Sequence, residues 1–298
     1  MSIRIVRAAV VGLVISLASS MAPAFAAEPI QVGTYNIRNP DSSTPAPWDQ
    51  RLPGIVQNIL AEGVSVLGVQ ELYGADERKE FLKALNTAAG DPTAYDMSRP
   101  ANDSGGYDNR IVYDTRLVQR VAADAITFAN QQVGDTRREM AWAVFQRVNG
   151  GQFLVVNTHL CPTSDPVTAA QWTELIGHTA ALRAAYGGIP VLAIGDFNTT
   201  KFEPPAKKNL KLMRRNGFGD VLGQTYRSYR VKGARAVGAE RIDANFGSSN
   251  AKPVGRKKNG NSIDWIFASN QLDVLRYRVV VRRDLSDHNM VTSTIVLP

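Results

Sequence analysis

The segment Val191-Leu192-Ala193-Ile194-Gly195-Asp196-Phe197-Asn198 runs through apolar and small residues and then ends on a carboxylate, an aromatic ring and an amide. A short continuous apolar run of this kind, preceded by Gly187-Gly188, predicts a strand covered on both faces. Asp196 and Asn198 share one face of that strand by period-two alternation, so polarity is placed at the rim of a core. Such placement costs free energy unless a partner is supplied. The same form recurs. The run 30–37 carries Asn36 near its end, and 64–71 ends on Glu71. The run 153–160 holds Asn157 and His159 on one face, 263–268 opens with Asp264 in second place, and Ser286-Asp287-His288 precedes 290–297. Apolar runs at 109–113, 140–148 and 274–281 complete the predicted strands.

Helical spacing interrupts these runs. Leu52, Ile55, Val56, Ile59 and Leu60 predict a helix that stops at Gly63, and Phe81, Leu82 and Leu85 predict a second that ends near Gly90. Residues 167–186 read as a third, closed by Gly187-Gly188. No fixed period repeats and no linker separates two cores. The expectation is one α+β domain over 27–298, with two packed mixed sheets flanked by helices.

The first residues read differently. Arg4 and Arg7 precede an apolar stretch at 8–17, and Ala24-Phe25-Ala26 supplies a small–x–small pattern. This predicts a signal peptide over 1–26 and export of the remainder. The apolar stretch is short for a membrane span and Pro23 interrupts it, and no later stretch is long and apolar enough to serve. Cys161 is the only cysteine, so no intramolecular disulfide forms.

Formal net charge is +7, and its distribution is uneven. Residues 201–258 hold fifteen Lys and Arg against four acids, which leaves the rest of the chain acidic on balance. That asymmetry predicts a face for polyanions. With few apolar runs and many glycines, 201–258 also reads as a long loop over one end of the sheets.

One strand-end Asp or Asn is most often a turn former or cap. Glu71, Asp196, Asp264 and Asp287 together with Asn36 and Asn198 form a different pattern, one that a hard cation would hold. An oxygen-only donor set suits Mg²⁺, Mn²⁺ or Ca²⁺ better than zinc. His159 and His288 add groups that exchange protons near neutral pH. The third histidine, His178, falls inside the predicted helix 167–186 and reads as a packing or surface residue.

Thr34-Tyr35-Asn36-Ile37-Arg38, Val69-Gln70-Glu71, Asn157-Thr158-His159, Gly195-Asp196-Phe197-Asn198, Ile263-Asp264-Trp265-Ile266 and Ser286-Asp287-His288 together resemble the endonuclease/exonuclease/phosphatase superfamily, in that family's order and over almost the whole chain after residue 26. The resemblance implies a four-layer α/β/β/α sandwich and divalent-metal-dependent hydrolysis of a phosphate ester. It implies that Asn36, Glu71 and Asp287 lie next to the metal, and that Asp196 and Asn198 orient the attacking water and meet the scissile phosphate. Asp264 and His288 would form a carboxylate–imidazole dyad, and His159 would protonate the leaving oxygen. Arg38 and Arg138 match phosphate-binding or groove-reading arginines of the deoxyribonuclease branch. The carboxylate that supports the second imidazole in that branch aligns with Asn109, in Tyr107-Asp108-Asn109-Arg110, and Tyr73 stands where that branch has an arginine. Cys161 shares a face with His159 but is assigned no role.

Three substrate readings follow. Arg227, Arg230, Lys232 and Arg235 interleave with Tyr226 and Tyr229, and Arg256-Lys257-Lys258 follow, which favours nucleic acid as substrate. A phospholipid headgroup, as in a sphingomyelinase or phosphoinositide phosphatase, is the alternative; against the first, no stretch is crowded with Trp, Phe and Leu for membrane insertion. A non-catalytic polyanion binder ranks last, because every acidic and imidazole motif position is filled. Oligomeric state is not encoded in these features.

Overall fold

The computed structural model describes residues 29–100, 103, 108–201, 204–225, 239–250, 252 and 260–298. The predicted leader at 1–26, the Tyr226–Arg235 cluster and Arg256-Lys257-Lys258 lie outside the described residues. In chain order the elements are β1 (Pro29–Asn36), α1 (Trp48–Glu62), β2 (Val66–Gln70), α2 (Ala75–Ala89), β3 (Tyr95–Met97), β4 (Arg110–Asp114), β5 (Val118–Thr127), β6 (Glu139–Arg147) and β7 (Gln152–His159). There follow α3 (Asp165–Ala185), β8 (Val191–Asp196), α4 (Pro204–Arg215), β9 (Phe218–Asp220), α5 (Val221–Thr225), β10 (Glu240–Ile242), β11 (Asp264–Ser269), β12 (Asp273–Val280) and β13 (Met290–Val296).

Two mixed sheets form, ordered β10-β12-β13-β1-β2-β4-β3 and β5-β6-β7-β8-β11-β9. Between them lies a core that includes Val32, Val66, Ile111, Val155, Leu192, Ile194, Ile266 and Val291. Outside the first sheet, Leu52, Ile55, Val56 and Ile59 of α1 and Phe81 and Leu85 of α2 pack on Tyr35, Leu67 and Val69. Outside the second, Trp172, Leu175 and Ile176 of α3 pack on Leu154, Val156, Ala193 and Phe267. This is the expected four-layer sandwich. The strands with continuous apolar runs are those covered on both faces; β2, β4, β8 and β11 are buried along their whole length. The helix ends also fall where glycine was read: Gly63 and Gly90 both cap in the left-handed region.

Alternation decides what reaches the gap between the sheets. In β7, Leu154 and Val156 face the helices, so Phe153, Val155, Asn157 and His159 face the opposite sheet. In β8, Leu192 and Ile194 face inward and Asp196 follows them; in β11, Ile266 and Ala268 do, preceded by Asp264. Each inward row is apolar in its middle and polar at one end.

One expectation fails. Among the described residues, 201–258 is not one long loop, since α4, β9, α5 and β10 all form there. α4 was hidden by its charge: Lys207, Lys208, Lys211, Arg214 and Arg215 cover the outside, while Met213 is buried and Leu210 packs partly against the α3 core. The edge strand β5 carried no sequence signal either, because most of its residues are exposed or half-buried and nothing enforces alternation.

Candidate active site

Strand register puts the first three groups in line. His159 of β7 pairs with Asp196 of the parallel β8, and Asp196 pairs with Asp264 of the antiparallel β11. In the other sheet, Asn36 of β1 pairs with Gln70 of the parallel β2, next to Glu71. The polar rows therefore meet at the carboxyl ends of two parallel strand pairs, where an α/β fold leaves a crevice.

The two sheets are pinned below this crevice by a buried amide. Asn157 Nδ2 donates to the carbonyls of Val69 (3.0 Å) and Arg110 (2.9 Å), and its Oδ1 accepts from Gln70 Nε2 at 2.6 Å. Gly68 makes room for it: a Cβ there would lie 2.6 Å from Asn157 Oδ1. Gly195 allows the close approach of β7 and β8. Its φ is +144°, and a Cβ would come within 2.1 Å of the Thr158 carbonyl.

Asp196 Oδ2 is the hub. Asn36 Nδ2 donates to it at 3.2 Å and to Glu71 Oε1 at 2.9 Å. The Nε2 atoms of His159 and His288 face it at 3.6 and 3.7 Å. Each imidazole is held from behind by a fully buried carboxylate: His159 Nδ1 meets Asp108 Oδ2 at 2.8 Å, and His288 Nδ1 meets Asp264 Oδ2 at 2.9 Å. Asp196 Oδ1 accepts the Asn198 amide N–H at 2.9 Å. Asn198 Nδ2 donates to the Leu160 carbonyl at 2.8 Å.

Three residues at this rim have backbone conformations that non-glycine residues seldom adopt: Arg38 (φ 61°), Glu71 (φ 64°) and Asn198 (φ 46°). Their clustering at one site is the pattern of strain tolerated for function. Neighbouring groups hold them in place. Asn39 N–H donates to Glu71 Oε2 at 2.9 Å, and Arg38 N–H to Asn36 Oδ1 at 3.1 Å. The Arg38 guanidinium pairs with Asp287 Oδ2 at 2.5 Å. Ser286 Oγ ties that corner to the Asn36 carbonyl at 2.7 Å.

Burial and charge oppose each other here. Burial pushes the His288 imidazole toward neutrality, but Asp264, Asp196 and Asp287 outweigh it and lift the pKa to about 10. His159 is raised as well: burial works against its charge, Asp108 and Asp196 overcome that, and Arg138 opposes them. Asp196 is raised by burial first and by Asp264 second, with both imidazoles and the Asn198 N–H pulling it back.

Asn36, Arg38, Glu71, Arg138, His159, Asp196, Asn198, Asp264, Asp287 and His288 thus lie at or beside one crevice, with two refinements. The most compact donor group is Asp196, Asp264 and His288, whose ligand atoms all lie within 4.8 Å of one another. Asp287, expected beside Glu71, is instead half-exposed and spends one oxygen on Arg38. Arg138 is buried, donates Nη2 to Asp135 Oδ1 at 3.1 Å, and keeps Nε and Nη1 without protein partners. A buried guanidinium with unspent donors fits an anion. Asp264 Oδ1 is likewise buried and unpartnered. An orphan carboxylate oxygen beside Asp196 fits a hard cation, so the residues present suit a divalent metal.

The support for His159 is a correction. Asn109 does not stand behind it, since its Nδ2 donates to the Glu139 carbonyl at 3.0 Å. The carboxylate is Asp108, one residue earlier. The usable signal was chemical: of the adjacent pair, only Asp108 carries a charge that can hold an imidazolium. Tyr73 also reaches this oxygen, its hydroxyl 3.4 Å from Asp108 Oδ2.

Comparison with known proteins agrees with this fold. A structure of a family protein from Bacteroides thetaiotaomicron superposes with a TM-score of 0.70 at 20% identity, covering 91% of this chain and 98% of that one. A mannosyl-6-phosphatase from the same organism also gives 0.70 at 20%, covering 90% and 100%. The human Nocturnin catalytic domain with bound sulfate gives 0.66 at 18%, covering 91% and 95%. At these identities the likeness establishes the fold alone. No curated protein sequence matches the chain. The sequence model described as "Endonuclease/Exonuclease/phosphatase family" matches residues 33–288, and with it the chain belongs to that family of phosphate-ester hydrolases.

Proposed function

We propose that this protein is a divalent-metal-dependent phosphodiesterase whose substrate is nucleic acid, exported by the leader at 1–26. The single observation that carries the catalytic part is the fan of two carboxylate-backed imidazoles and one asparagine around Asp196 Oδ2. A divalent ion held by Asp196, Asp264, Glu71 and their neighbours, with Mg²⁺ first and Mn²⁺ or Ca²⁺ as alternatives, would stabilise charge on the phosphate oxygens. Asn36 orients both Glu71 and Asp196 for that purpose.

The chain's own groups account for the proton movements. Asp196, at the centre of the fan, takes a proton from the attacking water. His288, whose ring Asp264 fixes from behind, donates from Nε2 to the phosphate. His159, fixed by Asp108, protonates the leaving oxygen. Arg138 offers Nε and Nη1 to a non-bridging oxygen, and Asn198 retains one amide hydrogen for the same group. Arg38 would add a further contact once released from Asp287.

The choice of nucleic acid rests on charge. Lys207, Lys208, Lys211, Arg214 and Arg215 on α4 are exposed and form no ion pairs among the described residues. A phospholipid headgroup is the weaker reading. Of the exposed large apolar residues, Leu117, Val121 and Val148 sit toward the far end of β5 and β6, and Val133 stands alone. That leaves no apolar surface for insertion around the crevice among the described residues. Purified protein incubated with plasmid, RNA and sphingomyelin vesicles, with and without EDTA, decides the matter. The expected result is metal-dependent nucleic-acid cleavage that falls steeply as salt rises. Vesicle hydrolysis with both nucleic acids intact would overturn it.

A further inference from the structure

Two buried arginines of this chain are spent in opposite ways. Arg51 gives every guanidinium nitrogen to backbone carbonyls: Nε to Ala46 at 2.7 Å, Nη1 to Ile37 and Leu285, and Nη2 to Arg38 and Asn39. That arginine fastens loops. Arg138, 4% exposed, donates only Nη2, to Asp135 Oδ1 at 3.1 Å. Its Nε and Nη1 are buried without a partner among the described residues. Buried donors left open are costly, and a guanidinium that keeps two of them suits an anion. Arg138 also lies within electrostatic reach of His159 and of Tyr73.

The loop that carries Arg138, residues 128–138, is built to hold it still. Gln131 Oε1 accepts the Arg138 N–H at 2.9 Å, and Gln131 Nε2 donates back to the Arg138 carbonyl at 2.9 Å. Glu174 of α3 accepts the N–H groups of Ala129 and Asn130, and Gln171 Nε2 donates to the Asn130 carbonyl at 2.8 Å. Gln171 Oε1 accepts the Cys161 N–H at 2.8 Å, so the segment after β7 hangs from the same helix. Asp135 joins these two segments. Its Oδ1 accepts from Arg138 and from the Thr136 N–H (2.7 Å), and its Oδ2 accepts from Thr163 Oγ1 at 3.3 Å and Cys161 Sγ at 3.5 Å. Burial raises the Asp135 pKa, but Arg138 and the Thr136 N–H outweigh it and hold the carboxyl below its ordinary value. We propose that Asp135 is a positioning residue: braced by Thr163 and Cys161, it fixes the Arg138 guanidinium so that Nε and Nη1 serve a non-bridging phosphate oxygen. The proposal rests on the phosphate-binding reading of Arg138. Without Asp135 the long side chain regains its rotamers, and a displaced donor stabilises the charge that builds on the phosphate less well.

Asp135→Asn keeps the shape and removes the charge, Arg138→Gln removes the guanidinium, and the pair with their combination forms a cycle. With Mg²⁺, kcat and KM on bis(p-nitrophenyl) phosphate and competitive inhibition by inorganic phosphate are measured, and urea unfolding checks that each variant folds. In the wild-type background Asp135→Asn is expected to lower kcat/KM and weaken phosphate inhibition by about tenfold each. In the Arg138→Gln background the same change should cost less than about twofold, because Asp135 acts only through Arg138. Equal losses in both backgrounds, the mark of a merely structural carboxylate, or no loss in either, would overturn the proposal. If Asp135→Asn does not fold, Thr163→Val decides: it loosens Asp135 from an exposed position and should weaken phosphate inhibition by about threefold, and unchanged inhibition overturns the role. If the wild type cleaves no phosphodiester, that reading fails by itself, and the same cycle is run on inorganic phosphate by calorimetry. Losses of affinity that vanish without Arg138 support Asp135, and equal losses, or no binding by the wild type, overturn it.

Discussion

Replacing Asp108 by asparagine removes the charge behind His159 at nearly constant volume. Asp108 is fully buried, and its Oδ2 takes the His159 Nδ1 hydrogen at 2.8 Å. A hydrogen bond to a charged group is worth about 1.5–3 kcal/mol, against about 0.5–1.5 for a neutral one. The difference, roughly 1–2 kcal/mol, is lost by the protonated imidazole and not by the neutral one. Burial already pushes the His159 imidazole toward neutrality, so removing Asp108 lowers its pKa and weakens its hold on the proton. An asparagine amide turned toward Nδ1 would also favour the tautomer with its proton on Nε2, facing Asp196. Loss of general acid assistance costs about 10²-fold or more when the leaving group is poor. The assay compares a dinucleotide, whose sugar alkoxide needs protonation, with bis(p-nitrophenyl) phosphate, whose phenolate needs little. Asp108→Asn should fall about a hundredfold on the first and less than tenfold on the second. Asn109→Ala, whose native amide bonds only the Glu139 carbonyl, should keep both rates to within a few-fold. Equal losses of Asp108→Asn on both substrates, or an equal loss in Asn109→Ala, would refute the assignment.

The same dyad has a signature in stability. Because the His159 pKa is raised above its ordinary 6.5, its contribution is fully present below about that pH and is lost as pH rises through the folded value. The stability gap between wild type and Asp108→Asn, followed by urea unfolding, should therefore be widest in mild acid and shrink at alkaline pH. Asn157→Ala strips three buried hydrogen bonds and leaves the Val69 and Arg110 carbonyls bare; a loss of about 3–5 kcal/mol is expected in the same assay, and less than ~1 would count against the pinning role. Lys201, buried over Trp265 and paired with Asp220 at 3.2 Å, should cost about 3–5 kcal/mol when changed to alanine. The Lys201→Met/Asp220→Leu double variant should recover most of that loss, and failure to do so would mean that packing rather than charge decides the site. EDTA should abolish phosphodiester hydrolysis, and added Mg²⁺ or Mn²⁺ should restore it; undiminished activity in EDTA contradicts the metal assignment.

The parts of this molecule legible in the sequence are those where burial forces a pattern. The runs around Val66, Val155 and Ile194 are covered on both faces, so their residue types had little freedom, and Gly63 and Gly90 sit at positions where the backbone turns left-handed. Polar residues at the ends of such runs are conspicuous because they violate the burial rule, and this is how Asn36, Glu71, Asp196, Asp264 and His288 could be named before their contacts were known. Weakly covered elements had no such constraint. β5 lies at a sheet edge, and α4 turns most of its cations outward. Asp108 escaped because it lies just ahead of a strand, where alternation gives no guide, and charge alone separates it from its neighbour Asn109 until His159 is seen beside it. The Arg38–Asp287 pair is a matter of side-chain choice that no spacing encodes.

The proposed phosphate-ester hydrolysis turns on one carboxylate, Asp196 at the centre of the crevice. The measurement that tests it most directly is turnover of bis(p-nitrophenyl) phosphate by the wild type and by Asp196→Asn, at saturating Mg²⁺, with thermal unfolding of both recorded. The wild type should turn the substrate over, and the variant should lose about 10³-fold or more while still folding cooperatively. A folded Asp196→Asn protein that keeps more than about a tenth of the wild-type rate would contradict it.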